Sequence, residues 1–107
     1  MYQRIVTLTF KDELSKDAIT DYLQPVIKEQ GEAYGPIAMT CARVNELTVV
    51  DTYYWPDYDN FEKAKNEYAA KFVEATRNAG AKVDIKEGYV YRAWFDGTDD
   101  MKSVTNF

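Results

Sequence analysis

Residues 37–55 read IAMTCARVNELTVVDTYYW, running from Ile37 to Trp55. Two stretches of strand character, Ile37 to Val44 and Leu47 to Trp55, flank Asn45-Glu46. Asparagine tolerates left-handed backbone, so the pair predicts a tight hairpin, although it lacks the glycine of the strongest type I′ signal. Proline cannot donate to a ladder, so Trp55-Pro56-Asp57 ends the second of these strands. A hairpin in mid-chain fixes the fold once its flanks are read.

Upstream, Tyr2 to Lys11 has period two, with Tyr2, Val6, Leu8 and Phe10 on one side and Gln3, Ile5, Thr7 and Thr9 on the other. Ser15 is a candidate cap for a helix whose stripe is Ala18, Ile19, Tyr22, Leu23, Val26 and Ile27. Pro25 lies inside this stripe and predicts a kink or break near Gln24, with Gly31 as the stop and Gly35-Pro36 closing the connection. Downstream, Asp59 with Glu62 resembles a capping box, and Phe61, Ala64, Tyr68, Phe72, Ala75 and Ala79 follow at helical spacing up to Gly80. Val83 to Phe95 reads as a last strand, interrupted by a bulge or small turn at Gly88. The polar stretch 96–107 has neither period and reads as a tail or a docking arm.

The order β-α-β-β-α-β is the split βαβ, ferredoxin-like arrangement of the α+β class. It predicts a four-stranded antiparallel sheet with two helices on one face. Residues 1–107 are expected to form one domain, with its core over about 2–95.

Composition narrows the function. The 107 residues are 46% hydrophobic and 29% charged, an ordinary globular balance, and carry a net charge of -5. That sign disfavours nucleic-acid phosphates, and no basic, glycine-containing aromatic strand motif of an RNA-binding module is present. With one cysteine, Cys41, and no histidine, the chain offers no internal disulfide, no standard zinc cluster and no histidine-based triad. No metal or cofactor is expected. The N-terminus has no apolar leader and no run approaches a membrane span, so a soluble cytoplasmic protein without membrane or nucleic-acid partners is the default.

Helices on one face leave the other bare. If Val6, Leu8 and Phe10 lie under the helices, Ile5, Thr7 and Thr9 face outward. The same alternation assigns Ala38, Thr40 and Ala42, then Asp51, Tyr53 and Trp55, then Arg92 and Trp94 to that face. Such a surface is too apolar to stay uncovered, and a second copy of the chain is the economical cover, giving an isologous homodimer.

The topology, the Tyr53-Tyr54-Trp55 strand ending and the acidic, aromatic start of the next helix (Asp57 to Phe61) resemble the dimeric α+β barrel superfamily. The nearest general likeness is to its antibiotic-biosynthesis-monooxygenase-like and stress-responsive members, over roughly residues 2–95. The resemblance implies a homodimer with a pocket between sheet and helices in each subunit. Its members include cofactor-free oxygenases, polyketide cyclases and haem-degrading enzymes. The haem-degrading members use a histidine ligand and the plant-type cyclases a histidine base, which this chain lacks.

Asp51 stands out as a carboxylate in mid-strand, because burying an unpaired charge is expensive. It reads as a general base with a raised pKa, as the partner of Arg43 or Arg92 in an ion pair, or as a solvated edge position. The tyrosines read chiefly as core and interface aromatics, with Tyr53 the exception. Cys41 reads as a small buried hydrophobe. The expected function is binding of a small apolar, aromatic or acyl-chain molecule by Ile5, Thr7, Thr40, Tyr53, Trp55 and Trp94. Asp51 as base and Arg92 as anion stabiliser would make the protein a cofactor-free, monooxygenase-like enzyme. The alternative is a non-catalytic binding protein or structural dimer.

Overall fold

A computed structural model describes residues 1–95 and 98–99. Strand β1 (Tyr2–Thr9) leads into α1 (Glu13–Tyr34), then β2 (Ala38–Asn45) and β3 (Thr48–Trp55). A helical rod follows: α2 (Tyr58–Ala64), a π segment (Lys65–Ala69) and α3 (Ala70–Asn78), leading to β4 (Lys82–Tyr89). The four long strands form one antiparallel sheet in the order β2-β3-β1-β4, with the helices on one face. The fold is therefore ferredoxin-like and of the α+β class.

The hairpin forms as the centre of the chain requires. Asn45 pairs with Thr48, and the Asn45 side chain accepts from the Leu47 backbone N–H at 3.0 Å, a local bond that holds the turn without glycine. Helix α1 starts one turn earlier than Ser15 implies. Asp12 is the cap, its carboxylate accepting from the Ser15 N–H at 2.7 Å. The helix also runs through Pro25 and Gly31 without a break. Pro25 is exposed, so the bond its ring removes falls on the solvent side. The left-handed residue that ends the helix is Gly35, at φ 42°. In α2 the cap is Asp57 rather than Asp59, its carboxylate accepting from the Asn60 N–H at 2.8 Å.

At the other end of the rod, Gly80 (φ 83°) donates to the Arg77 carbonyl and Ala81 to the Thr76 carbonyl, a Schellman closure. An added Cβ would meet only the flexible end of Lys11, so the cost of a side chain here is the backbone conformation. Gly80→Ala is expected to lower stability by about 1–2 kcal/mol, read as a lower urea midpoint with unchanged slope.

The π segment alters the apolar stripe. Beyond Ala64 the buried residues are Phe72 and Thr76, with Val73 packed against the core, while Tyr68, Ala69, Ala75 and Ala79 are all half-buried. The expected stripe therefore holds at Phe72, and Thr76 and Val73 are added to it past the widened turn. Thr76 is wholly buried because its hydroxyl donates to the Phe72 carbonyl at 2.7 Å. The core is Tyr2, Val6, Leu8 and Phe10 of the first strand with Leu23, Tyr53, Trp55, Phe61 and Phe72.

The last strand differs from the expected Val83–Phe95. It passes through Gly88 in register with Gln3 and ends at Tyr89. A separate two-residue strand, β5 (Trp94–Phe95), pairs with β6 (Thr98–Asp99) outside the main sheet. The expected arm over 96–107 lies otherwise outside the described residues. Among the described residues, no helix is long and apolar enough to cross a membrane.

Candidate ligand-binding site

Residues directly opposite in an antiparallel pair share a face. Asp51 is opposite Val6, Tyr53 opposite Arg4 and Trp55 opposite Tyr2. All six are buried under the helices. This corrects the expected orientation of the third strand: Asp51, Tyr53 and Trp55 point inward, and Val50, Thr52 and Tyr54 occupy the bare face. Both parities of this strand are apolar, and the bulk of Trp55 and Tyr53 outweighs the cost of taking Asp51 inside. Ile5, Thr7 and Thr40 do lie on the bare face, opposite Thr52, Val50 and Thr52 respectively. The sequence-predicted pocket is therefore split between two sides of the sheet. Arg92 and Trp94 leave it altogether; both are exposed, with the Arg92 guanidinium 5.2 Å from the Trp94 ring centre.

A cavity of about 260 Å³ lies between α1 and the sheet. Its walls are Ile19, Leu23 and Ile27 of the α1 stripe, with Leu8, Phe10, Val49 and Phe72. On the sheet side the polar groups are Asp51 and Cys41, which are cross-strand partners, and Arg43 of the same strand as Cys41. Asp51 is 4% exposed and its Oδ1 has no hydrogen-bond partner. Burial pushes its carboxyl above the usual carboxylate value, and a hydrogen bond from the Cys41 thiol offsets part of that rise. Cys41 sits on the exposed edge strand, not in the core as expected. Its thiol is nevertheless pushed up to about 12, by desolvation first and then by Asp51, which makes it a poor nucleophile.

Two cations line the same cavity, Lys16 and Arg43. Lys16 is buried, and its ammonium donates to the Glu46 carbonyl at 2.8 Å, so it is committed to the hairpin turn. Arg43 is exposed and available to an anionic ligand group. Sequence reasoning missed Arg43 and Lys16 as lining residues, since only the register of the second strand and the turn of α1 bring them here. Arg4 was missed as well, although its signal was present: it is a cation on the same parity as Tyr2, Val6 and Leu8. Among the described residues, no group of three or more acidic, cysteine or histidine side chains is placed to hold a metal ion.

Tyr53 and Trp55 stack at 5.5 Å and line a smaller void with Arg4, separate from the Asp51 cavity except for the shared Phe72. Burial raises the Tyr53 phenol, and Asp51 adds to the rise.

No protein-family model matches the chain, and no curated protein is significantly similar to it in sequence. Among solved structures, it is similar to a dimeric ferredoxin-like protein from an uncultured marine organism, at a TM-score of 0.66 and 13% identity. The match covers 89% of this chain and 99% of that one. At such identity the likeness carries the architecture, and with the strand order it establishes that this chain has the ferredoxin-like fold.

Proposed function

We propose that the chain forms a homodimer through its bare sheet face and binds a small, mainly apolar, weakly acidic molecule in the cavity under α1. Asp51 exchanges a proton with the ligand. The observation that carries this reading is the buried, unpartnered carboxylate oxygen of Asp51 at a cavity whose inner walls are Leu8, Phe10, Leu23, Val49 and Phe72, with Lys16, Asp17, Thr20, Gln24, Cys41 and Arg43 as its other polar groups. A carboxylate kept dry is a stronger base than one in water. It would take the proton of a phenol, or the proton next to a ketone, leaving a neutral carboxylic acid and a ligand anion beside Arg43. In this role Arg43 replaces the Arg92 of the sequence-based expectation. Dimerisation is supported by the half-buried Ile5, Val50, Thr52 and Tyr54 on the bare face and by the dimeric description of the structural neighbour.

The test uses para-nitrophenol, whose phenolate form is coloured. Wild-type protein is expected to give a saturable change in visible absorbance, and Asp51→Asn to bind the probe without that change. Equal spectra in both proteins would leave binding without proton exchange; no saturable binding to either would remove the cavity as a site. Native mass spectrometry of the same samples reads the assembly, and a monomer would remove the interface.

A further inference from the structure

We propose a second site, independent of the Asp51 cavity: Arg4 and Trp55 bind an oxyanion, the carboxylate or phosphate group of a small molecule, beneath the π segment. Arg4 is 6% exposed and Trp55 3% exposed. The Arg4 Nη1 and the Trp55 Nε1 are both buried with no hydrogen-bond partner. Each of these groups can only donate, so neither can satisfy the other. What is missing is an acceptor. Both line a void of about 20 Å³, enough for one oxygen atom. A water there would serve the indole N–H but bring no negative charge to the desolvated Arg4 guanidinium, in a void lined by Val6, Phe61 and Phe72 together with Gln30, Tyr53 and Lys65. An anionic oxygen meets both needs.

The remainder of such an anion has somewhere to go. A groove of about 540 Å³ runs along the π segment and α3, and Arg4, Lys65 and Ala69 line both it and the void. Lys65 and Arg77 contribute positive charge to the groove and Glu74 the one carboxylate in its lining. On the sheet, Glu87 lies opposite Arg4 in register and its charge favours the charged guanidinium, while its carboxylate accepts from the Tyr2 hydroxyl at 3.2 Å. The space exists because of the widened turn: it brings the small Ala69 over Arg4, where a regular helix would bring Tyr68. The Arg4 guanidinium is 5.7 Å from the Phe61 ring centre, which holds it in place without supplying an acceptor.

The chain has two tryptophans, so the indole N–H of Trp55 is readily assigned in a ¹⁵N-labelled sample with Trp55→Phe as reference. Inorganic phosphate and benzoate are titrated separately, with sodium chloride holding ionic strength constant. A saturable shift of the Trp55 resonance with one or both anions is expected, and the arm that responds identifies phosphate or carboxylate as the preferred group. Arg4→Met is expected to weaken that binding by about tenfold or more. The proposal is overturned if the wild-type Trp55 resonance shows no saturable response to either anion. That outcome does not depend on any variant folding. It is overturned equally if a folded Arg4→Met protein titrates with the wild-type midpoint.

Discussion

Truncating Phe61 to alanine is expected to lower the unfolding free energy by about 3–5 kcal/mol, the range for deleting a fully enclosed aromatic ring. Phe61 is the residue at which three elements meet. It has 0% exposure, with its ring centre 4.6 Å from that of Tyr2, 5.1 Å from Trp55 and 5.7 Å from Tyr58. These contacts join α2 to the two central strands, and the Arg4 guanidinium rests over the same ring. The loss therefore combines transfer, cavity and ring–ring contributions. A urea melt would show a lower midpoint at unchanged slope. A change under about 1 kcal/mol would mean that the aromatic cluster closes over the gap.

Stability is also expected to fall as the pH rises above the ordinary carboxylate value of 3.8, because of Asp51. Its folded-state pKa is raised, so the folded protein holds a proton that the unfolded chain has already released. The stabilisation is fully present below the unfolded value and is lost as the pH climbs through the folded one. Between the two, the slope is at most about 1.4 kcal/mol per pH unit for one proton. The groups bearing on this site are Cys41 and Tyr53 on the sheet, with Lys16, Asp17 and Arg43 lining the cavity. Asp51→Asn keeps the shape and removes the titration, so the difference in stability between the two proteins should grow with pH. Parallel pH–stability curves for wild type and variant would assign the carboxylate a water-like environment.

The element order was legible because each element has a strong period: two in Tyr2 to Thr9, near 3.6 in Ile19 to Ile27 and from Phe61 onward. Orientation was legible only where one parity is polar. In the first strand, Gln3, Thr7 and Thr9 mark the outside. In the third, Val50 and Tyr54 are as apolar as Val49 and Tyr53, so a reading that keeps charge outside turns the strand over. The candidate site depends on that single choice, which is why Asp51 was singled out correctly as unusual while its companions were not. Helix caps failed for a related reason: Asp12 competes with Ser15, and Asp57 with Asp59, and only the entry path of the chain selects between them. The end of the last strand at Tyr89 has no local signal, since Val90 and Tyr91 have strand character as good as that of Ile85.

The widened turn at Lys65–Ala69 also bears on how the helix can change length over time. A residue added to or removed from a regular helix rotates everything beyond it by roughly 100°, which would unseat either Phe61 or Phe72. Here the slack is confined to five residues, and each half of the rod keeps its own footing on the sheet. Related chains that differ by one residue in this segment could keep both footings. An alignment of such chains belongs in two blocks, with its gap inside 65–69, and the groove above Arg4 would open or close with that gap.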